Sequence, residues 1–196
     1  MTEVQGWEDY YQKIKGRAPR QLLLDALTYF ADGSGNVQRL VIDLGCGDGT
    51  ESAILLERGW NVLAIDGEPA SIQHLLAKVP AERLQTQVTK FEQVSLPPAD
   101  LIHASLSLPF CPPEHFDALW AKIAAAVKPG GRFAGQFFGV RDSWVNEPDM
   151  TFHTEEQVRR LLGDFEIEHF DEMDKDGPAV SGPKHWHVFT VIARKN

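Results

Sequence analysis

An α/β fold, in which helices cover both faces of a mostly parallel sheet, is predicted by three features of this sequence. The stretch that starts at residue 40 opens with an apolar run, Leu40-Val41-Ile42, with two β-branched side chains, which is typical of a strand buried on both faces. A second strand-like run, residues 61–66, follows after a stretch of helix-forming residues. Residues 114–127 carry apolar side chains at helical spacing and precede another strand-like run at 132–138. This alternation indicates parallel strands joined by crossover helices.

The first strand leads into a glycine-rich loop. Asp43 lies at the strand end, and Gly45, Gly47 and Gly49 follow at every second position, with Cys46 between the first two. Glycines let the backbone turn sharply and approach a ligand, and the N-terminal amides of the next helix point at that ligand. Strand, loop and helix thus form the nucleotide-binding half of a Rossmann-like unit. The alternative is a tight turn that binds no ligand.

The spacing of the glycines bears on which nucleotide could bind. A dinucleotide site needs G-x-G-x-x-G, but the third position falls on Thr50 when counted from Gly45 and on Ser52 when counted from Gly47. An acidic residue beside the loop suits a cationic ligand and would repel a pyrophosphate. The pattern therefore argues against an NAD(P)-dependent oxidoreductase, which is the rival enzyme class.

Two motifs resemble those of class I S-adenosylmethionine (SAM)-dependent methyltransferases, with some similarity to the compact tellurite-resistance and thiopurine type. One is the loop Asp43-x-Gly45-x-Gly47-x-Gly49, and the other is a helix that ends in Lys-Pro-Gly-Gly at 128–131 before a strand. The resemblance spans residues 39–139. It implies a SAM site whose product is S-adenosylhomocysteine (SAH).

The same resemblance implies a Rossmann-like class I methyltransferase fold with an antiparallel C-terminal strand pair. We interpret 1–196 as a single methyltransferase domain: residues 1–32 form an N-terminal helical lid segment, 39–139 the SAM-binding core, and 140–196 a substrate-side loop, helix and closing strands. In this last part a capping box at 154–157 predicts a short helix.

The closing strands are expected at 165–170 and 187–193, joined by an acidic excursion at 171–183 that contains Gly and Pro. Alternation of apolar residues indicates the strands, and only the family resemblance supplies their antiparallel pairing. Near the other terminus, residues 7–14 predict a short aromatic helix, and a second helix follows near 19–30.

The N-terminal helices are interpreted in two ways. Many class I methyltransferases carry such a segment as a lid, in which case Trp7, Tyr10 and Tyr11 cover the cofactor and Arg17 meets its carboxylate. The alternative is that these aromatic residues pack on the sheet edge.

Further cofactor contacts are expected at the ends of the next strands. Asp66 ends the second strand beside Gly67, and its carboxylate can accept hydrogen bonds from both ribose hydroxyls. The alternative role of Asp66 is to cap the following helix.

The resemblance places adenine near Phe91, which can stack on the ring, and Glu92, which can accept a hydrogen bond from the adenine amine. The alternative is that Phe91 is a core residue and Glu92 a surface residue. Ser105 ends the fourth strand, residues 99–106. The full predicted cofactor set is Asp43, Gly45, Cys46, Gly47, Gly49, Asp66, Gly67, Phe91, Glu92 and Ser105.

No catalytic residue is assigned, because SAM itself brings the electrophile and the protein mainly positions the acceptor. If a general base exists, the candidates are His103, His153, His185 and His187, each of which also reads as a structural histidine. No zinc ligand set is visible, so no metal site is expected, and the two cysteines read as free thiols.

Composition limits the partners. Lys and Arg number 19 against 28 Asp and Glu, which gives a net charge of -9 and argues against a nucleic-acid substrate. No long apolar segment or signal-peptide pattern is present, so we expect no membrane association and a cytoplasmic location. The favoured function is methyl transfer from SAM to a small molecule, and a SAM-binding sensor or partner subunit without turnover is the alternative. The sequence specifies neither the acceptor nor the oligomeric state.

Overall fold

The computed structural model describes residues 6, 10, 13, 14, 16–30, 38–80 and 82–196. These residues form five α-helices and one eight-stranded mixed sheet. In chain order the elements are α1 (Gln21–Thr28), β1 (Leu40–Leu44), α2 (Thr50–Glu57), β2 (Asn61–Asp66), α3 (Pro69–Lys78), β3 (Leu84–Val88), β4 (Ala99–Ala104), α4 (Pro113–Ala126), β5 (Val127–Gly139), β6 (Phe152–His153), α5 (Glu155–Leu161), β7 (Phe165–Ala179) and β8 (Gly182–Lys195).

The strand order is β3-β2-β1-β4-β5-β8-β7, and β6 pairs with the last two residues of β5. Strands β1 to β5 run parallel, whereas β8 is antiparallel to both β5 and β7. The predicted fold class is confirmed in its mostly parallel sheet and in its antiparallel C-terminal pair. Because β1 lies between β2 and β4, the glycine loop that follows β1 is flanked by the ends of both neighbours.

Each face of the sheet has its own apolar core. Helices α1, α2 and α3 cover one face, where Leu23, Leu55 and Leu75 are fully buried. Helices α4 and α5 cover the other face. Strand β1 shows the alternation directly, since Val41 joins the first core and Ile42 joins the second. Burial on both faces explains why β1 begins with an unbroken run of apolar residues.

Strand β5 begins earlier than the predicted 132–138. Helix α4 ends at Ala126, and the strand already pairs at Val127 with Ala99. The next pair is Arg132 with Leu101, so the Lys-Pro-Gly-Gly residues form an irregular bulge within the strand. Gly130 adopts φ +76°, which a glycine reaches without strain.

The closing hairpin is also longer than the sequence predicted. Residues 171–183 were expected to form an excursion, but they continue the two strands, with Asp174 opposite His187 and Gly177 opposite Lys184. The prediction of an unpaired excursion was wrong, because polar residues in a two-stranded ribbon can pair through the backbone whatever their hydropathy. Strand β5 pairs with β8 only as far as Val188, so the hairpin tip extends past the end of β5.

The helix predicted near 19–30 is α1. The capping box is confirmed: the Thr154 hydroxyl accepts from the Gln157 amide at 3.3 Å, and the Gln157 side chain accepts from the Thr154 amide at 2.7 Å. Trp7, Tyr11 and most of the predicted helix at 7–14 lie outside the described residues. None of the described helices combines the length and the apolar composition needed to cross a bilayer.

Candidate functional site

The glycine loop after β1 is built in a conformation that requires glycine. Gly45, Gly47 and Gly49 have φ values of +78°, +53° and +76°. The amides of Gly45 and Cys46 donate to the Ile65 carbonyl at 2.8 and 3.0 Å, which fastens the loop to the end of β2. A Cβ atom on Gly45 would lie 2.3 Å from the Cβ of Ser107, so no larger residue fits there. Positive φ and this close approach explain the pattern of glycines.

Asp43 lies beneath this loop and is only 2% exposed. Its Oδ2 atom accepts from the Ser52 hydroxyl at 2.7 Å, and its Oδ1 atom lies 3.0 Å from Nδ1 of His103. Both carboxylate oxygens therefore have partners within the protein. The structure places Asp43 at the predicted strand end, and its direct contact with a cofactor stays a prediction.

Asp66 ends β2 and is hydrogen-bonded to the same loop. Its Oδ2 accepts from the Gly47 amide at 2.8 Å, its Oδ1 accepts from the Glu68 amide at 2.9 Å, and the Ser71 side chain also bonds to it. Burial raises the pKa of Asp66, and the nearby charge of Asp43 raises it further. The tips of β1 and β2 therefore bring the two predicted carboxylates together.

The capping alternative for Asp66 is only partly met. Helix α3 begins at Pro69 with Glu68 as its N-cap residue, and no side chain caps it. Asp66 instead accepts from the Glu68 amide and shapes the turn before the helix. A carboxylate has about four acceptor positions, so a ribose diol could still bind beside these partners. The ribose contact stays a prediction, and the adjacent Gly67 is exposed.

Two buried carboxylates that the sequence analysis did not single out, Asp48 and Glu51, hold Arg17 against the loop. Arg17 binds Asp48 at 3.1 Å and both oxygens of Glu51. The Arg20 amide also donates to Glu51, at 3.0 Å. Burial opposes ionisation of Glu51, but the hydrogen bond and charge of Arg17 keep its pKa below the ordinary value. The segment before α1 is thereby fastened to the glycine loop. The sequence signal that could have indicated this contact was the pair of acidic residues at the start of α2 together with an arginine before α1.

Lys78 is the second cation at this loop. It donates to the Asp48 carbonyl at 2.5 Å and to its carboxylate at 3.1 Å. Within the part of the chain that the structure describes, the buried carboxylates of this region are Asp43, Asp48, Glu51 and Asp66. Among the described residues, the lysine and arginine side chains that pair with them are those of Arg17 and Lys78. The local charge therefore favours a cationic ligand group over phosphates.

The turn after β4 closes the other side of the loop. The Ser107 hydroxyl donates to the Leu44 carbonyl at 2.6 Å, and its Cβ fills the space beside Gly45. Ser105, the residue predicted here, instead donates to the side-chain oxygen of Gln136 at 2.8 Å. Between them Leu106 adopts φ +53°, which is uncommon for a residue with a side chain. Sequence reasoning thus missed Ser107, whose role depends on contact with a loop 62 residues away.

Phe91 and Glu92 begin a short 3-10 turn after β3. A Cβ on Gly45 would lie 3.7 Å from the Phe91 ring, so Phe91 borders the loop as predicted for a residue near adenine. The Glu92 carbonyl accepts from Lys122 at 3.0 Å. Burial raises the pKa of the Cys111 thiol to about 12, and the Glu92 charge adds to this effect. The adenine contacts of both residues stay predictions.

Residues 41–131 match the family described as methyltransferase domain. These residues, a little under half of the chain, are therefore similar to a methyltransferase domain. The match runs from β1, through the glycine loop and the three strands that follow, to the bulge of β5, and so covers most of the core predicted at 39–139.

Relatives and solved structures agree with this assignment. A carboxy-S-adenosyl-L-methionine synthase from Vibrio parahaemolyticus is 28% identical over 137 residues, which are 65% of this chain and 55% of that protein. The chain thus spans about half the length of the curated relatives it matches. TehB from Haemophilus influenzae superposes with a TM-score of 0.77 at 19% identity, covering 97% of this chain and 67% of TehB.

A second solved structure is an N1-methyltransferase from Burkholderia thailandensis with bound 1,6-didemethyltoxoflavin and SAH. It superposes with a TM-score of 0.72 at 21% identity, covering 98% of this chain and 85% of that one. These two superpositions confirm the predicted fold, the Rossmann-like class I methyltransferase fold with its antiparallel closing strands.

The four histidines considered as bases occupy different positions in the structure. His103 is paired with Asp43 below the loop. His153 packs against Phe116 at 4.5 Å between ring centroids, and burial lowers its pKa to about 4, so it is neutral at pH 7. His187 is buried, with Nδ1 accepting from the Arg141 amide at 3.0 Å and Nε2 2.8 Å from Glu172. Of these three, His103 lies closest to the loop.

His185 is held on the hairpin by two carboxylates. Hydrogen bonds with Asp174 and Asp176 raise the pKa of His185. Possible metal-ligand atoms of Glu172, Asp174 and His187 lie within 4.8 Å of one another on the same hairpin. Arg141 already binds both carboxylates of this group, at 2.5 and 2.7 Å, so these side chains satisfy one another.

A groove lies between α1 and strands β5, β8 and β7. Its volume is about 390 Å³, and it is lined by Arg20, Gln21, Leu22, Asp25, Gln136, His169, Asp171 and Thr190. Gln136 connects the groove to the end of β4, because it accepts from Ser105 and donates to the Thr190 hydroxyl at 3.2 Å. A continuous polar path therefore runs from the tip of β4 into the groove.

A buried ion pair holds the loop that follows β5 against strand β8. Lys184 contacts Asp142 at 2.6 Å, and the two side chains are 3% and 0% exposed. The Lys184 ammonium also lies 3.5 Å from the Trp144 ring centroid and 4.0 Å from that of Trp186. The indole rings of Trp144 and Trp186 thus lie around a lysine of the chain itself.

Proposed function

We propose that the protein binds SAM at the glycine loop and transfers its methyl group to a small molecule, leaving SAH. The observation that carries this proposal is the excess of buried carboxylate around the loop, together with the failed dinucleotide spacing. SAM presents an ammonium and a sulfonium and has no pyrophosphate, so its charge complements Asp43, Asp48, Glu51 and Asp66. The relative named for a SAM derivative and the neighbour solved with SAH support the same cofactor.

In this proposal each part of the loop has a defined task. Gly45, Gly47 and Gly49, with Cys46 between the first two, let the loop backbone turn with positive φ beside the cofactor. Asp66 and Gly67 border the ribose, and the free acceptor positions of the Asp66 carboxylate receive its hydroxyls. Phe91 stacks on the adenine ring and Glu92 accepts from its amine, while Ser105 borders the sulfonium side.

SAM supplies a methyl group on a sulfonium leaving group, so the protein's work is to orient the acceptor in line and exclude water. The groove beside Gln136 is the proposed acceptor entry, because hydrogen bonds join it to Ser105 at the end of β4. Its volume of about 390 Å³ suits a small molecule. The net charge of -9 weighs against a nucleic-acid acceptor, and two buried free thiols suit a reducing, cytoplasmic compartment.

Calorimetry tests cofactor choice. We expect SAM and SAH to bind and NADH not to bind. Replacing Asp66 with Ala should weaken SAH binding by about 1–3 kcal/mol, because the ribose hydroxyls lose their acceptor. Ser71→Ala is the matched control, since it removes a bond to the same carboxylate and leaves the carboxylate in place. Unchanged SAH affinity in the Asp66 variant would remove the ribose assignment, and NADH binding would overturn the cofactor.

Turnover is tested by incubating the protein with SAM and small molecules that carry hydroxyl, amine, thiol or carboxylate groups, and following products by mass spectrometry. Methyl transfer predicts SAH together with an acceptor heavier by one methylene. SAM binding without any SAH across the panel would favour a sensor or partner subunit. A mass gain on SAM itself would point to the kind of activity for which the Vibrio relative is named.

A further inference from the structure

His103 carries a buried ring nitrogen for which the described residues offer no partner. The residue is 1% exposed, and its Nδ1 atom lies 3.0 Å from Asp43. Its Nε2 atom is shielded from solvent and makes no hydrogen bond with any described residue. Buried polar atoms in folded proteins are almost always paired, so an orphan of this kind calls for a partner that the described residues do not supply.

The hydrogen bonds around Asp43 fix what that partner must be. An ionised carboxylate only accepts, and Asp43 already receives the Ser52 hydroxyl on its other oxygen. His103 therefore donates to Asp43 from Nδ1, and in the neutral imidazole this leaves a lone pair on Nε2. The partner that neutral His103 lacks is thus a hydrogen-bond donor. Asp43 fixes the tautomer and orientation of the ring, as carboxylates behind metal-bound histidines do.

The position of His103 limits the donor further. Strand β4 pairs with β1 so that His103 lies opposite Asp43, two residues before the glycine loop begins. Ser52 belongs to the first turn of α2, next to Glu51, which holds Arg17. The imidazole is therefore enclosed by the loop, the first turn of α2 and the end of β4. Carboxylates outnumber cations there, so a positively charged donor is favoured over a neutral one.

We propose that Nε2 of His103 accepts a hydrogen bond from the α-ammonium group of the SAM methionine moiety, through at most one bridging water. This inference rests on the proposed function. In it His103 is the binding residue, and Asp43 is a positioning residue that acts through His103. The carboxylate expected to face the cationic cofactor thus reaches it by way of an imidazole 60 residues away in sequence.

The variant that tests this is His103→Asn. An asparagine amide can still donate to Asp43 from a position close to that of Nδ1, but it has no atom at the position of Nε2. Three ligands separate the parts of the cofactor: SAH carries ammonium and carboxylate, decarboxylated SAM keeps the ammonium and the sulfonium but has no carboxylate, and 5′-methylthioadenosine has neither ammonium nor carboxylate. Ser52→Ala is the matched control, because it removes the other hydrogen bond to Asp43 and leaves Nε2 in place.

Calorimetry should show that His103→Asn weakens the binding of SAH and of decarboxylated SAM by roughly 10- to 100-fold, which is the range for a hydrogen bond to a charged group. In the same variant the affinity for 5′-methylthioadenosine should change less than about twofold. Ser52→Ala should leave the ratios between the affinities for the three ligands unchanged. Equal effects on all three ligands, or no effect on any, would overturn the role of His103. If the wild-type protein binds none of them, the proposed function itself fails.

A measurement on the unmodified protein complements the variant. With ¹⁵N-labelled histidine, the Nε2 resonance of His103 should shift when SAH is added and stay in place when 5′-methylthioadenosine is added. A resonance that ignores both ligands, while both bind, would mean that only a structural water contacts this nitrogen and would refute the proposal.

Discussion

Gly45→Ala tests the close approach of the glycine loop to the turn after β4. Alanine at φ +78° costs about 1–2 kcal/mol. The new Cβ would also lie 2.3 Å from Ser107 Cβ, and forcing an extra carbon into such a site costs about 1–3 kcal/mol. The free energy of unfolding should therefore fall by roughly 2–5 kcal/mol, or about 4–20 °C in melting temperature for a chain of this size.

The control is Gly59→Ala. Gly59 has a similar φ of +87°, but the atom nearest to a Cβ added there would be Arg83 Nη1, at 3.9 Å. Its substitution should cost only the backbone strain of about 1–2 kcal/mol. Urea denaturation of both variants isolates the contribution of the contact.

Combining Gly45→Ala with Ser107→Gly should relieve the contact. Ser107→Gly alone loses the hydrogen bond to the Leu44 carbonyl, at about 1 kcal/mol. In that background Gly45→Ala should cost no more than Gly59→Ala does. Two results would show that the loop does not pack against Ser107 in this way. One is that Gly45→Ala lowers the free energy of unfolding equally in the wild-type and Ser107→Gly backgrounds, and the other is that Gly45→Ala and Gly59→Ala lower it equally.

Two further predictions concern buried charge. Lys184→Met should lower the free energy of unfolding by about 3–5 kcal/mol, because it leaves the Asp142 carboxylate buried without a cation; adding Asp142→Asn should restore much of the loss, as measured by urea denaturation. His153, with a pKa of about 4 when folded and an ordinary value of 6.5, binds a proton more readily when unfolded. Stability should therefore fall as pH drops from 6.5 to 4, by up to about 3 kcal/mol from this residue. His153→Phe should flatten that part of the pH–stability curve, and identical curves for the two proteins would contradict the assignment.

The glycine loop and its flanking elements could be predicted from local pattern. Strand β2 has the predicted bounds, 61–66, and the capping box at Thr154 starts α5. In each case the signal and the structure it specifies lie within about ten residues, so backbone preference and hydropathy suffice. The polar hairpin beyond Phe170 carried no such signal, because its pairing depends on the strand opposite.

The partners of the predicted site residues could not be found in the same way. Asp43 was expected to face a ligand, but its oxygens are taken by Ser52 and by His103. Arg17 was expected near a cofactor carboxylate, and in the structure it binds Asp48 and Glu51. Hydrogen-bond partners separated by tens of residues are set by strand order and side-chain direction, which a single sequence does not display.

The sequence by itself determined the kind of loop and the sign of the charge around it, because glycine conformation and carboxylate chemistry are properties of single residues and their neighbours. Tertiary structure alone decided which atoms remain available at that loop. Packing β4 against β1 places His103 on Asp43 and Ser107 on Gly45, and Nε2 of His103 is left without a hydrogen-bond partner among the described residues.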